Sequence, residues 1–232
     1  MNRWKLIDNA AEIALGDVRL SMDPRQPSAG VRIVHGATTW GPLLQVTCDP
    51  PHSQTVDELY QRDDDLVVRF RQTEADQFAF QLDWRTVPGS IPGFELWFSI
   101  QTTLLDSHPR LLATLPAPQH WRAIHAGELA PAQLRDAEMD ALPADATLGW
   151  LAASAPVPMA VLVHPVDLQQ VVAAAQQDDP NALKLQVFGQ FLEKGVIRRA
   201  RLRVHFVSPS VTDEEFGQLV TQFAGSPLPL TA

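Results

Sequence analysis

The chain has 232 residues, a formal net charge of −9, 45% hydrophobic and 19% charged residues, and a single cysteine, Cys48. A chain of this length can bury enough surface to fold as one domain without a disulfide or a structural metal. The acidic balance argues against a phosphate-binding footprint and an anionic membrane surface, and the lone cysteine excludes an internal disulfide.

The N-terminal run Met1–Asp8 has neither the apolar core nor the small-residue cleavage site of a signal peptide, and no stretch approaches the ~20 apolar residues of a membrane span. The expectation is a cytoplasmic protein. Cys48 reads as a small residue near the core, because nothing local suggests the placed histidine and lowered pKa that a nucleophile needs.

In chain order, short strands are expected around Glu12–Leu15, Val18–Met22, Val31–His35 and Leu43–Cys48. Gly36-Ala-Thr-Thr-Trp-Gly41 has half the spacing of a phosphate-binding loop, but Pro42-Leu43 follow where that loop needs Lys-Ser/Thr. Asp63-Asp-Asp65 reads as a solvated turn; a divalent-ion loop needs more oxygen ligands and a glycine-assisted bend.

The dominant period then becomes two. Leu66, Val68 and Phe70 alternate with Val67, Arg69 and Arg71. Phe78, Phe80, Leu82 and Trp84 alternate with Ala79, Gln81, Asp83 and Arg85, and Phe94, Leu96, Phe98 and Ile100 with Glu95, Trp97, Ser99 and Gln101. Each run predicts a strand with one buried face, and the short turn-like connectors predict an antiparallel meander. Asp106-Ser-His-Pro109 ends the third strand; three consecutive residues cannot form a catalytic relay.

Further strands are expected over Leu111–Leu115, Leu148–Ala153, Met159–His164, Leu183–Leu192 and Val196–Val207. Gly195 is the expected positive-φ residue of the turn joining the last two. A helix is expected from Thr212, where Thr212-Asp-Glu-Glu215 is a capping box and Phe216, Leu219, Val220 and Phe223 share a face. Two more short helices are expected, over Asp167–Gln177 and Pro131–Leu142. Sheet patterns flank the Ala/Pro-rich stretch Ala117–Pro143, so residues 1–232 read as one mainly β domain: a large antiparallel β-sandwich with two or three short covering helices.

The alternation that buries Phe, Leu and Trp leaves a polar second face. Arg71, Asp83, Arg85, Glu95, Trp97 and Gln101 are the candidate ligand residues there: the indole can stack on the C–H face of a sugar, while the carboxylates, guanidinium groups and amide bond its hydroxyls. The last long strand puts Arg199, Arg201 and Arg203, with His205, on one side, a candidate face for an anion or an acidic partner. If this strand borders the meander, the two faces become one. The alternative for both is a solvated face stitched by cross-strand ion pairs. The histidines His35, His52, His108, His120, His125, His164 and His205 show no metal-binding spacing, and no cofactor fingerprint occurs, so neither metal nor cofactor is expected.

Two segments, Phe94-Glu-Leu-Trp-Phe-Ser-Ile-Gln-Thr-Thr-Leu-Leu-Asp-Ser-His-Pro109 and Phe191-Leu-Glu-Lys-Gly-Val-Ile-Arg-Arg-Ala-Arg-Leu-Arg203, look like a central strand with its exit loop and a closing hairpin. In this pattern the chain resembles the galactose mutarotase-like β-supersandwich superfamily. The resemblance implies a carbohydrate ligand on the concave sheet face, and, in the epimerases, a His general acid and a Glu general base. The Asn-His and His-x-Tyr/Phe-Asn elements of those epimerases do not occur here; His108 and His164, at expected strand ends, are the histidines that could serve. Three readings follow: a carbohydrate-binding domain built around Trp97, a sugar isomerase or epimerase, and a protein-interaction domain with a basic strand face.

Overall fold

The computed structural model describes residues 3–49, 54–73, 78–116, 122–125, 135–136, 147–172 and 182–227. The described chain is mainly β, and every strand pairing within it is antiparallel. A first sheet is a meander of β1 (Lys5–Ile7), β2 (Ala10–Leu15), β3 (Val18–Met22), β4 (Val31–His35) and β5 (Thr38–Leu43). The chain then runs through β6 (Gln45–Cys48), β7 (Thr55–Arg62), β8 (Asp65–Arg71), β9 (Ala79–Thr86), β10 (Gly93–Gln101) and β11 (Arg110–Pro116). It continues with β12 (Arg122–His125), β13 (Arg135–Asp136), β14 (Thr147–Ala152), β15 (Met159–Val163), β16 (Leu168–Val172), β17 (Ala182–Phe188) and β18 (Ile197–Phe206), and ends in helix α1 (Asp213–Ala224).

A nine-stranded sheet has the order β13-β12-β14-β15-β18-β10-β9-β8-β7, and a four-stranded sheet the order β16-β17-β11-β6. The expected meander forms its β8-β9-β10 portion. Leu66, Val68, Phe70, Leu82, Trp84, Leu96 and Phe98 are buried in one core with residues of the other two sheets, such as Leu20, Ile33, Leu111 and Leu185. Trp4, just before β1, meets Trp84 of β9 edge to face at 6.1 Å and so ties the first sheet to the largest, while Phe70 stacks on Phe80 at 4.5 Å within the largest sheet.

Three expectations are corrected. The stretch Leu168–Val172, expected as the start of a helix, is strand β16, paired with β17 through an irregularity between Leu168 and Gln170. The spacing of Leu168, Val171 and Val172 imitates a helical stripe because the bulge shifts the strand's alternation by one. The expected closing hairpin is not one: β17 pairs with β11 and β16, whereas β18 pairs with β10 and β15, so the Gly195 turn (φ +80°) carries the chain between sheets. Of the helix expected over Pro131–Leu142, Arg135–Asp136 is strand β13 and the remainder lies outside the described residues, as do residues 173–177. Among the described residues α1 is therefore the one α-helix, not one of two or three.

Helix α1 packs Phe216, Leu219, Val220 and Phe223 on Leu151, Ala160 and Leu162. In β15, Ala160 and Leu162 point away from Met159, Val161 and Val163, which belong to the main core. The helix thus lies on the opposite face of the nine-stranded sheet, the polar one. Its start is fixed as the sequence predicts: the Glu215 N–H donates to Thr212 Oγ1 at 3.2 Å, and the Thr212 N–H donates to Glu215 Oε2 at 2.8 Å. Thr212→Ala is expected to lower stability by about 1 kcal/mol and Thr212→Ser to restore most of it, read by urea unfolding.

Candidate functional site

The strand register turns the polar face into a grid. Because β18 lies directly beside β10, the two sequence-predicted faces are a single face. Its outermost row joins Ala79, Gln101 and Ile197. The next joins Arg69, Gln81, Ser99 and Arg199, and the third Val67, Asp83, Trp97 and Arg201. The fourth joins Arg85, Glu95, Arg203 and Leu162; the fifth joins Gly93, His205 and Ala160.

The inner rows are closed by their own chemistry. Glu95 is 8% exposed, and its Oε1 accepts from Arg203 Nε at 2.7 Å and also from the Arg203 Nη2 group. The Trp97 indole N–H donates to Glu95 Oε2 at 2.5 Å. Arg85 lies over the Trp97 ring, 4.2 Å from its centroid, and pairs through Nε with Asp65 at 3.0 Å. Charge-assisted bonds and a cation–π contact therefore hold the indole by one face and by its N–H. On the far side of the pair, Arg203 and Arg201 lie 4.5 and 5.4 Å from the Phe223 ring of α1.

Arg201, 2% exposed, is seated under the C-terminal end of α1. Its guanidinium donates to the Pro227 carbonyl at 2.8 Å and to Ser226 Oγ at 3.3 Å. Strand β15 ends opposite Leu202, and Asp167 takes over beyond it, accepting the Arg201 backbone N–H at 2.9 Å. Burial pushes the Asp167 carboxyl up to about 6, against the pull of the Arg201 charge. His205 is also buried. Burial, with the neighbouring Arg203 charge, lowers it to about 4, so it is neutral near pH 7. Gly93 makes room for it: a Cβ there would lie 2.7 Å from His205 Nδ1.

The two outer rows differ. Arg69, Gln81, Ser99, Gln101 and Arg199 are all half-buried and line a cleft of about 160 Å³. Asp83 bounds its inner end, buried, accepting from the Gln81 amide at 2.7 Å, its carboxyl raised chiefly by burial. Of the six sequence-predicted ligand residues, Gln101 lines the cleft and Asp83 and Trp97 adjoin it from the third row. Arg85 and Glu95 sit inward of these, and Arg71 is exposed at the edge of β8. Of the three stripe arginines, Arg199 lines the cleft, whereas Arg201 and Arg203 are engaged with Asp167, Glu95 and α1. Ser99 and Arg69 share the cleft's alternation parity and were readable from the sequence. Asp65 was read as turn and Asp167 as helix, which hid their roles.

His108 and His164 do not reach the cleft. His108 pairs loosely with Asp106 at 3.6 Å in the loop after β10 and sits 5.8 Å from the Phe191 ring. His164 is buried against Phe223, ring centroids 6.0 Å apart, with its pKa lowered by burial. Among the described residues no cluster of His, Cys, Asp and Glu suits a metal, and no helix is long and apolar enough to cross a membrane.

No protein-family model and no curated protein sequence matches the chain. Among solved structures, a candidate aldose 1-epimerase from Klebsiella pneumoniae superposes with a TM-score of 0.54 over 93% of this chain and 84% of that one, at 9% identity. The chain shares that fold. A TPR-domain containing protein from Parabacteroides distasonis matches with a TM-score of 0.52 and 9% identity; 95% of this chain is covered, but it spans about half, 49%, of that protein. At such identity the likeness bears on the fold alone, in line with the mutarotase-like pattern read from the sequence.

The buried His205 sets a pH dependence. With its folded pKa near 4, below the ordinary 6.5, its contribution to stability is present above pH ~6.5 and is lost as pH falls through ~4. Asp167, raised to about 6, works in the other direction, favouring the fold below its ordinary 3.8 and losing that contribution as pH rises through ~6. Thermal unfolding from pH 7 to 4 is expected to show His205→Asn losing less stability on acidification than the native chain, by up to about 3 kcal/mol. Asp167→Asn is expected to lose more.

Proposed function

We propose that the chain is a mutarotase-like supersandwich domain that binds a carbohydrate in the outer cleft of its nine-stranded sheet. The observation that carries this reading is the alignment of Arg69, Gln81, Ser99 and Arg199 in one cross-strand row, with Gln101 in the next. Such a row offers donors and acceptors at strand spacing, ~4.8 Å, so that neighbouring side chains can reach different hydroxyls of one sugar ring, which a single point charge cannot. Asp83 and Trp97, in the adjoining row, bound the inner end, and Arg71 is exposed at the end of β8. The ligand is uncharged or weakly anionic, since Arg69 and Arg199 face Asp83 across the row boundary.

The mutarotase-type reading is the second. It is favoured by the shared fold and by Glu95 and His205 standing in adjacent rows of the same face. Ring opening needs an acid and a base in contact with the sugar. Both Glu95 oxygens already accept hydrogen bonds, and His205 is 5% exposed, so binding without turnover is the better fit.

Saturation-transfer NMR against a panel of neutral mono- and disaccharides checks the binding reading. At least one sugar is expected to bind, and Arg199→Ala and Gln101→Ala are each expected to weaken it about tenfold, the worth of a lost charged or bidentate hydrogen bond. Absence of binding across the panel sinks it. Polarimetry of freshly dissolved galactose and glucose separates the second reading: no acceleration of mutarotation is expected, and an acceleration abolished by His205→Asn would replace binding with catalysis.

A further inference from the structure

The first sheet carries a groove of its own, of about 480 Å³. The register explains its shape. On the outer face of that sheet Glu12 pairs with Ser21 and Ser21 with Arg32, so a carboxylate and a guanidinium stand two strands apart with a small hydroxyl side chain between them. Two strand spacings are ~10 Å, which leaves the floor over Ser21 open. Ala10 and Asp23 extend the groove along the strands, and Ala29 and Gly30 keep its end shallow.

The far wall is Trp40 with Pro42, on β5. Strand β5 carries one extra residue opposite β4: Val31 pairs with Leu43 but Ile33 with Trp40. Gly41, at φ +122°, is where the extra residue is absorbed, and a Cβ there would fall 2.8 Å from the Val31 carbonyl oxygen. Bulges of this kind re-aim the side chains beside them. Trp40 rests partly on the core and keeps the remainder of its ring half-buried in the groove.

The electrostatics contrast with those of the nine-stranded sheet. There the charged side chains bind one another; here, among the described residues, no side chain hydrogen-bonds or ion-pairs with Glu12, Arg32 or the Trp40 indole. A half-exposed indole beside two carboxylates and a guanidinium, over a floor of small residues, combines a stacking platform with hydroxyl acceptors and a hydroxyl donor. The two carboxylates, Glu12 and Asp23, outnumber the one guanidinium, so a strongly anionic ligand gains little from Arg32. The groove reaches from β2 to β5, three strand spacings or ~14 Å, longer than one pyranose ring.

We propose that this groove is a second carbohydrate site, distinct from the cleft on the nine-stranded sheet, which takes a short neutral oligosaccharide with one ring stacked on Trp40. Hydroxyls of the stacked ring accept from Arg32 on the neighbouring strand, and those of the next ring donate to Glu12 and Asp23. The proposal stands on the first sheet alone and does not need the outer cleft to bind sugar.

The test is titration of the full chain with cellobiose, maltose and lactose, followed by isothermal calorimetry and saturation-transfer NMR. At least one of the three is expected to bind in the millimolar range or tighter, with Trp40→Ala abolishing binding and Glu12→Gln and Arg32→Gln each weakening it fivefold or more. The titrations are repeated in the Arg199→Ala background, which removes any share of the outer cleft, and there the groove binding and its loss in the Trp40, Glu12 and Arg32 variants are expected to persist. Because Trp40 also touches the core, the two charge variants, both at solvent-facing positions, carry the result if Trp40→Ala fails to fold. No binding of any of the three, or binding indifferent to Glu12→Gln and Arg32→Gln, overturns the proposal. Binding lost in Arg199→Ala but retained in the groove variants overturns it as well, while supporting the outer cleft.

Discussion

The Glu95–Arg203 pair governs the polar face. Placing a carboxylate and a guanidinium under a helix costs several kcal/mol of lost hydration, and the cost is offset only if both groups are fully engaged. Here they are: Arg203 donates twice to one Glu95 oxygen, Trp97 donates to the other, and the second face of the guanidinium rests on Phe223. Once these contacts exist, the indole cannot turn freely, Arg85 has a ring to lie on, and α1 has a fixed seat. Removing either charge would leave the other buried and unpaired, a larger cost than breaking an exposed ion pair on the same sheet.

That constraint divides one sheet face into two regions. Toward α1 the rows are filled by side chains engaged with one another or with the helix, although Arg201 Nε and Nη2 and His205 Nδ1 are buried without a hydrogen-bond partner among the described residues. Toward the opposite end the same alternation presents Arg69, Gln81, Ser99, Gln101 and Arg199 to a cleft with no helix above it among the described residues. The division follows from topology. Strand β18 must lie between β10 and β15 for its arginines to meet Glu95 on one side and the helix-bearing strands on the other. The core face of the same strands plays no part in this; it is an ordinary apolar layer shared by all three sheets.

The sequence made the alternating strands, the capped helix and the parity of each polar side chain legible, because these depend on neighbours a few residues apart. It also posed the decisive question, whether the Arg199–His205 stripe borders the meander, without being able to answer it: pairing of β10 with β18 joins residues about a hundred positions apart. The missed elements fail for identifiable reasons. Strand β5 contains Gly41 and Pro42, residues disfavoured within strands, and β7 is an edge strand with mostly exposed, polar residues and a bulge between Val56 and Glu58. Strand β16 mimicked a helix through its bulge. Charge pairing was the least legible feature, since Asp65 and Asp167 find their arginine partners only through the fold.

The Trp97 indole proton tests the central interaction most directly. With its N–H donated to the Glu95 carboxylate at 2.5 Å, its NMR resonance, assigned by its disappearance in Trp97→Phe, is expected downfield of the exposed indoles and slow to exchange with deuterium although the side chain is half-exposed. In Glu95→Gln it is expected to move upfield and to exchange faster. An indole signal that exchanges rapidly in the native chain, and is unmoved by Glu95→Gln, would contradict the account.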